Sequence, residues 1–164
     1  MTKIFIGIDP GKSGGIATIN TTLDTIEITP MILSGKDVDA LKIAEWIIHN
    51  TGFPEGNSIA CIEKVHAMPG QGVTSMFKFG FVTGVMHGII RTLGIPLHLV
   101  TPQAWKKEIL AGTPKDKEAA IDFCRRIYPQ VNLLATERSR KPHSGIADAL
   151  CIARYAKEKY NNEL

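Results

Sequence analysis

The chain contains 164 residues, of which 44% are hydrophobic and 21% charged, and its formal net charge is +3 at pH 7. This length and composition predict one globular domain over residues 1–164 and exclude disordered and fibrous proteins. The weak positive charge is compatible with a nucleic-acid partner but does not indicate one by itself.

The cysteines and the N-terminal segment bear on where the protein acts. Cys61, Cys124 and Cys151 are widely separated and lie among apolar residues, so we expect buried, reduced thiols and a cytoplasmic location. The N-terminal residues lack the long apolar region and the cleavage site of a signal peptide. No stretch approaches the ~20 apolar residues of a membrane span, so we expect no membrane partner.

The first fifty residues predict three strands and a helix. Lys3–Asp9 is rich in β-branched and aromatic residues, which is typical of a central strand. Strands over 15–20 and Thr25–Ile32 complete an antiparallel meander. Residues 37–49 then place their apolar side chains on one helical face, which predicts a helix.

Strands and helices alternate in the rest of the chain. An apolar strand over Ser58–Glu63 ends in a carboxylate, and Thr101-Pro102 has the N-cap and first-turn residues that open a short helix to Ile109. The element order is βββ-α-β-α-β-α-α-α. The remaining predicted elements are a helix over 73–93 with Gly80, Gly84 and Gly88, a strand over Ile95–Val100, and helices over Lys115–Tyr128 and Ser144–Tyr160.

Three acidic residues stand out from these elements. Asp9 and Glu63 each end an apolar strand, and Asp148 lies inside the apolar final helix, where an aspartate lowers helix propensity and loses solvation. A single such acid is often a cap or a turn residue. Three that meet would repel one another unless a cation is shared, and an all-oxygen ligand set suits Mg²⁺ or Mn²⁺. Two such ions favour phosphodiester hydrolysis.

Residues 101–141 carry an excess of basic side chains. Such a strip could face a phosphate backbone, but a solvated helix face followed by a basic loop is an equal alternative. The basic residues are Lys106, Lys107, Lys115, Lys117, Arg125, Arg126, Arg138, Arg140 and Lys141.

Four motifs, in order along the chain, resemble those of the RuvC-type Holliday junction resolvases, in particular the phage and related bacterial branches. They are residues 7–17, 61–80, 100–107 and 143–153. The resemblance implies a ribonuclease H-like α/β fold, with a mixed five-stranded sheet (three antiparallel strands, then two parallel) flanked by helices. It also implies a homodimeric, Mg²⁺- or Mn²⁺-dependent endonuclease of DNA recombination and repair. Such enzymes cut four-way junctions with paired symmetric nicks, in the cytoplasm or, for a phage protein, in the host cytoplasm.

The resemblance also implies roles for individual residues. Asp9, Glu63 and Asp148 match the ligands of a two-metal site, and Lys117 matches a lysine that contacts phosphate near the cut. The helix over 73–93 resembles the dimer-forming helix, in which Gly80 and Gly84 would permit close approach. Other expected DNA contacts are Lys106, Lys107, Lys115, Arg140 and Lys141.

Two segments depart from the family pattern. Where many relatives have a stacking aromatic residue after the fourth strand, this chain has His66 and Met68, with Phe77 and Phe79 further on, so the junction-wedging residue is open. Where relatives have a fourth acid or a histidine, this chain has His143-Ser144. Ser144 marks a vacated ligand position, or His143 takes that place, since imidazole binds Mn²⁺.

Three other functions remain to be weighed. The Asp-Pro-Gly loop after the first strand also resembles the phosphate loop of sugar kinases and actin-like ATPases, but the chain has no second lobe, so we expect no nucleotide cofactor. A junction-binding protein without activity is a second alternative because of Ser144. A related nuclease acting on other branched DNA or on structured RNA is the third.

Overall fold

The structure, a computed structural model, describes residues 2–53, 57–64, 70, 72–114, 116 and 118–163. The strands are β1 (Lys3–Asp9), β2 (Gly15–Asn20), β3 (Thr25–Pro30), β4 (Leu33–Ser34), β5 (Asp37–Val38), β6 (Asn57–Glu63) and β7 (Leu97–Val100). The helices are α1 (Ala40–Thr51), α2 (Val73–Thr92), α3 (Pro102–Ile109), α4 (Ala119–Ile127) and α5 (Ser144–Tyr160), followed by a 3₁₀ turn at Asn161–Glu163.

Five of the strands form one mixed sheet in the order β3-β2-β1-β6-β7. The pairs β3–β2 and β2–β1 are antiparallel, whereas β1–β6 and β6–β7 are parallel. This arrangement confirms the predicted α/β fold with three antiparallel strands followed by two parallel ones. The central position of β1 places its carboxyl end, and therefore Asp9, beside the end of β6.

The sheet is covered on both faces because its strands alternate buried side chains between two cores. Phe5 of β1 packs with residues of α3, α4 and α5 on one face, including Trp105 and Leu150. Ile4, Ile6 and Ile8 of the same strand pack on the other face with residues of α1 and α2. The three cysteines are free and buried, as predicted.

Glycines allow α5 to cross the sheet at very short range. A Cβ atom at Gly7 of β1 would lie 2.8 Å from the Ala153 Cα and closer still to the Ala149 carbonyl oxygen. A Cβ atom at Gly145 of α5 would lie 2.6 Å from the Gly14 Cα. Real Cβ atoms do not come this near to backbone atoms, so both positions require glycine. The crossing brings the first turns of α5 over the end of β1.

The region after β3 differs from the prediction. The helix predicted over 37–49 begins at Ala40, because Asp39 caps it by accepting a hydrogen bond from the Lys42 backbone N–H at 3.1 Å. The residues before it form the small β4–β5 hairpin instead. The apolar periodicity of the helix continues into this hairpin by chance, so periodicity alone placed the start too early.

The other helix boundaries agree better with the sequence. The final helix begins and ends as predicted, at Ser144 and Tyr160, and α2 ends one residue before the predicted 93. The described helix α4 starts at Ala119 rather than at Lys115. Lys115 and Lys117 themselves lie outside the described residues.

Helix α2 contradicts one expectation about membranes. Among the described residues it is the one helix that is long and apolar enough to cross a bilayer by length and composition alone, with a mean hydropathy of 1.3. The expectation that no stretch approaches such a span is therefore wrong. Lys78, His87 and Arg91 lie within this helix, but the apolar residues around them outweigh their effect on its mean hydropathy.

Candidate active site

The register of the sheet places two of the predicted acids side by side. Gly7 and Ile8 of β1 are opposite Cys61 and Ile62 of the parallel strand β6. Asp9 and Glu63 are the next residues along the two strands, and each is the last residue of its strand. Both are partly buried at the same edge of the sheet.

Asp148 joins them from the helix that crosses above. Its side chain is partly buried, and the negative charge of Glu63 contributes to a pKa for Asp148 of about 6, although burial is the larger cause. Burial likewise raises the pKa of Asp9 to about 7, with further contributions from the charges of Glu63 and then Asp148. The three carboxylates predicted from the sequence thus lie close together, and the charge of Glu63 disfavours the ionisation of both aspartates.

A lysine on α3 opposes this repulsion. The positive charge of Lys106 lowers the pKa values of both Asp9 and Asp148, although less than burial raises them. Helix α3 is anchored at its start, where the Thr101 hydroxyl accepts a hydrogen bond from the Ala104 backbone N–H at 3.2 Å. Lys106 was predicted as a DNA contact, and the structure places its charge beside the acids.

Trp105, the residue before Lys106, contacts Glu63 directly. The indole N–H of Trp105 donates a hydrogen bond of 2.6 Å to Oε2 of Glu63. Trp105 is fully buried and belongs to the core shared by α3, α4 and α5. Two consecutive residues of one short helix therefore act on different members of the acid cluster.

The donor set fits a hard divalent cation. Three partly buried carboxylates, two of which (Asp9 and Asp148) have pKa values raised by burial and by the charge of Glu63, would bind such an ion well, because its charge cancels their repulsion, and oxygen ligands suit Mg²⁺ and Mn²⁺. The described part of the chain contains no group of three His, Cys, Asp or Glu side chains already arranged to hold a metal ion.

Comparison with known proteins identifies the fold. No protein-family model and no curated protein matches the chain. Thermus thermophilus RuvC in complex with a Holliday junction substrate is similar, with a TM-score of 0.61 and 20% identity over 98% of this chain and 96% of that one. The chain has the RuvC fold. RuvC of the same organism in a second structure is similar too, with a TM-score of 0.58 and 19% identity over 98% of this chain and 96% of that one.

A third likeness is more distant. It is to a resolvase of Fowlpox virus in complex with Holliday junction DNA, with a TM-score of 0.47 and 11% identity over 95% of this chain and 98% of that one. The likeness to the two RuvC structures, at 20% and 19% identity, establishes the ribonuclease H-like fold of this chain.

His143 and Ser144, at the start of α5, occupy the positions where RuvC-type relatives have a fourth acid or a histidine. Nδ1 of His143 accepts a hydrogen bond from the Ile146 backbone N–H at 3.2 Å and so caps α5, which leaves Nε2 as its remaining ring nitrogen. Burial lowers the pKa of His143, which favours the neutral ring. Ser144 is exposed, one helical turn before Asp148 and on the same helix face.

An open cavity of about 820 Å³ adjoins the acid cluster. Asp148 and Ser144 line it from α5, and Lys106 and Lys107 line it from α3, while Leu110 and other apolar residues form much of the remaining wall. The cavity joins the predicted metal ligands to two of the predicted DNA contacts.

The predicted DNA contacts differ in how accessible the structure leaves them. Lys107, Arg140 and Lys141 are exposed, as residues that bind a phosphate backbone must be. Phe77 is 75% exposed, while Phe79 is partly buried and lies against Gly11 in the loop after β1. His66, Met68, Lys115 and Lys117 lie outside the described residues.

Sequence reasoning missed two residues that shape the site. Trp105 and Gly7 each lie within a motif, but neither was predicted to have a role of its own. The signal for Trp105 was a tryptophan in the first turn after a well-marked N-cap, next to a lysine already assigned to the site. Neither its partner nor that of Gly7 could be read from the sequence, because Glu63 is 42 residues away and Ala149 is on the last helix.

Proposed function

We propose that this protein is a divalent-metal-dependent endonuclease that resolves four-way DNA junctions by paired, symmetric nicks. The observation that carries the proposal is the meeting of Asp9, Glu63 and Asp148 at one edge of the sheet, where each is partly buried and two have raised pKa values. The RuvC fold around them supports a junction substrate, since the RuvC of Thermus thermophilus has been seen with one.

The three acids would hold two Mg²⁺ or Mn²⁺ ions, with Asp9 between Glu63 and Asp148. When bound, such ions activate a water and stabilise the leaving oxygen in phosphodiester hydrolysis. Lys106 would keep part of the cluster ionised before metal binds, because its charge lowers the pKa values of Asp9 and Asp148. Lys117, outside the described residues, is proposed to stabilise charge at the scissile phosphate.

DNA would approach across the cavity beside Asp148. Its lysines, Lys106 and Lys107, and the exposed Arg140 and Lys141 offer positive charge to a phosphate backbone. Lys115 and His66, outside the described residues, are proposed to contact the same strand. The exposed ring of Phe77 supports a role in stacking on junction bases, for which Phe79 is less accessible.

The protein is proposed to act as a homodimer through α2. Val73 and Phe81 are 86% and 51% exposed on this helix. A single chain therefore leaves much of an apolar helix uncovered, and a second copy would cover it. Absence of a nucleotide cofactor and a cytoplasmic location remain predictions.

Cleavage of a four-way junction tests the proposal. With Mg²⁺ or Mn²⁺ the unmodified chain should cut opposite strands at symmetric positions, and Asp9→Asn should not, because it removes the charge between the two ions. Asp24→Asn is the matched control, since Asp24 is exposed with a φ of 53° that asparagine adopts readily. Equal cutting by the unmodified chain and Asp9→Asn would refute a metal site at Asp9. Forked DNA and structured RNA in parallel reactions would identify a different branched substrate.

A junction-binding protein with little activity is the second candidate. It is favoured by the exposed hydroxyl of Ser144 on the face that carries Asp148, where an acid would complete the ligand set. Under this alternative the unmodified chain binds a junction without cutting it, and Ser144→Asp gains cleavage. Ser34→Asp, on the exposed β4 strand, is the control for the added charge. If Ser144→Asp gains nothing, Ser144 does not occupy a vacated ligand position.

A further inference from the structure

We infer that Trp105 is a positioning residue for metal binding, which holds the carboxylate of Glu63 in the orientation that the ions require. The inference rests on the proposed function, because it assigns Glu63 to a metal site. Trp105 itself would touch neither metal nor DNA, and would act only through the hydrogen bond from its indole N–H to Oε2 of Glu63 at 2.6 Å.

The indole is held firmly enough to direct its partner. Trp105 has no exposed surface, and it packs in the core with Phe5 of β1 and residues of α4 and α5. The N-cap at Thr101 and the fixed backbone of Pro102 set the start of the helix that carries it. Glu63, by contrast, is the last residue of β6 and is partly exposed, so its flexible side chain gains most from an external restraint.

The chemistry of an indole suits this task. Its N–H is a donor only and stays neutral at all relevant pH values, so it orients a carboxylate without competing with a cation for the negative charge. A lysine in its place would pair with Glu63 and oppose a metal ion. The bond engages Oε2, so Oε1 would remain available to hold an ion. Residues that orient metal ligands in this way commonly change metal affinity by about 10–100-fold when removed.

Manganese binding in the absence of DNA tests the inference without any cleavage assay. Trp105→Phe keeps most of the ring volume and removes the N–H, and we expect it to weaken Mn²⁺ binding about 10-fold in calorimetry at constant pH. Trp46→Phe is the matched control. It is the same substitution at the other of the two tryptophans, which is partly buried in the core on the opposite face of the sheet, and it should leave Mn²⁺ affinity unchanged.

A double-mutant cycle separates positioning from a general structural effect. In a Glu63→Gln background, Trp105→Phe should cause no further loss of affinity for the remaining Mn²⁺, because the two substitutions remove the same interaction. An additional 10-fold loss in that background would mean that Trp105 acts through the core and not through Glu63. Equal Mn²⁺ affinity of Trp105→Phe and the unmodified chain would also overturn the inference.

A spectroscopic measurement covers the case in which Trp105→Phe does not fold. The Trp46→Phe chain leaves one indole N–H resonance, that of Trp105, and saturating Mg²⁺ should move it. The same titration in Trp46→Phe with Glu63→Gln should leave it in place, and a resonance unmoved by Mg²⁺ in the first chain would overturn the inference. The proposed function fails separately, if the unmodified chain binds no Mn²⁺ at all.

Discussion

Two glycine-bearing regions of this protein have opposite surroundings. Where α5 crosses β1, Cβ atoms at Gly7 and Gly145 would collide with backbone of the same chain. Along α2, Cβ atoms at Gly80, Gly84 and Gly88 would meet nothing within 4 Å. The first region has its packing partner inside the chain, and there the acids meet. The second lacks such a partner inside the described chain, and in the proposed homodimer a second molecule would supply one. Glycine spacing predicts close packing but not where the partner comes from.

The largest effect is expected from filling the crossing. Gly7→Ala should lower the free energy of unfolding by about 3 kcal/mol, because its Cβ would overlap backbone atoms of α5 that cannot move without lifting the helix. Gly88→Ala, the matched change on the open helix, should instead raise it by about 0.5–1 kcal/mol through helix propensity. Urea denaturation of both variants measures the difference. Similar effects of the two would show that the crossing is looser than the glycine geometry indicates.

The next effect concerns the acids that the crossing brings together. Burial raises the pKa of Asp9 to about 7 and that of Asp148 to about 6, so between pH 4 and 7 the folded protein binds more protons than the unfolded chain. The stability of the metal-free protein should therefore fall as pH rises through this window, by a few kcal/mol in total, with the order of magnitude set by the shifts. Asp9→Asn should flatten this profile and be more stable than the unmodified chain at pH 8.

Thermal unfolding between pH 4 and 8, with and without Mn²⁺, measures that profile. Added Mn²⁺ should restore stability at high pH in the unmodified chain and not in Asp9→Asn, because an ion binds only the ionised carboxylates. Asp24→Asn should follow the unmodified chain throughout. A profile that rises from pH 4 to 7 without metal would contradict the raised pKa values of Asp9 and Asp148.

The smallest effect is expected on the open glycines of α2. Gly84→Leu should leave the folded chain intact, because a side chain there meets open space. It should weaken self-association about 10-fold by separating two closely packed helices, an estimate from the sensitivity of tight packing to added methylenes. Analytical ultracentrifugation measures the dissociation constant. Ser34→Leu is the control, because a leucine at the neighbouring Gly35 would be strained by the left-handed backbone of that residue. Flotation of the unmodified chain with lipid vesicles would show that α2 meets a membrane and not a second copy.

The same contrast explains how far the sequence could predict the structure. Asp9 and Glu63 could be placed because each follows an apolar strand, and strand ends are local features. Thr101-Pro102 marked the start of α3 for the same reason. The contact of Trp105 with Glu63 and the approach of α5 to Gly7 depend on residues far apart in the chain, which leave no periodic pattern. The hairpin before α1 was missed because Val38 continues the helical periodicity while its backbone pairs with Leu33.

The crossing at Gly7 also constrains how this sequence can diverge. A buried isoleucine of β1 can be exchanged for valine or leucine with modest repacking, so the core can change one residue at a time. No side chain fits at Gly7 or Gly145, and a change at either needs α5 to be displaced at the same time. Positions of this kind should be among the last to vary as the chain drifts. A search for still more distant members of the fold would therefore do better to weight these two glycines than the apolar residues around them.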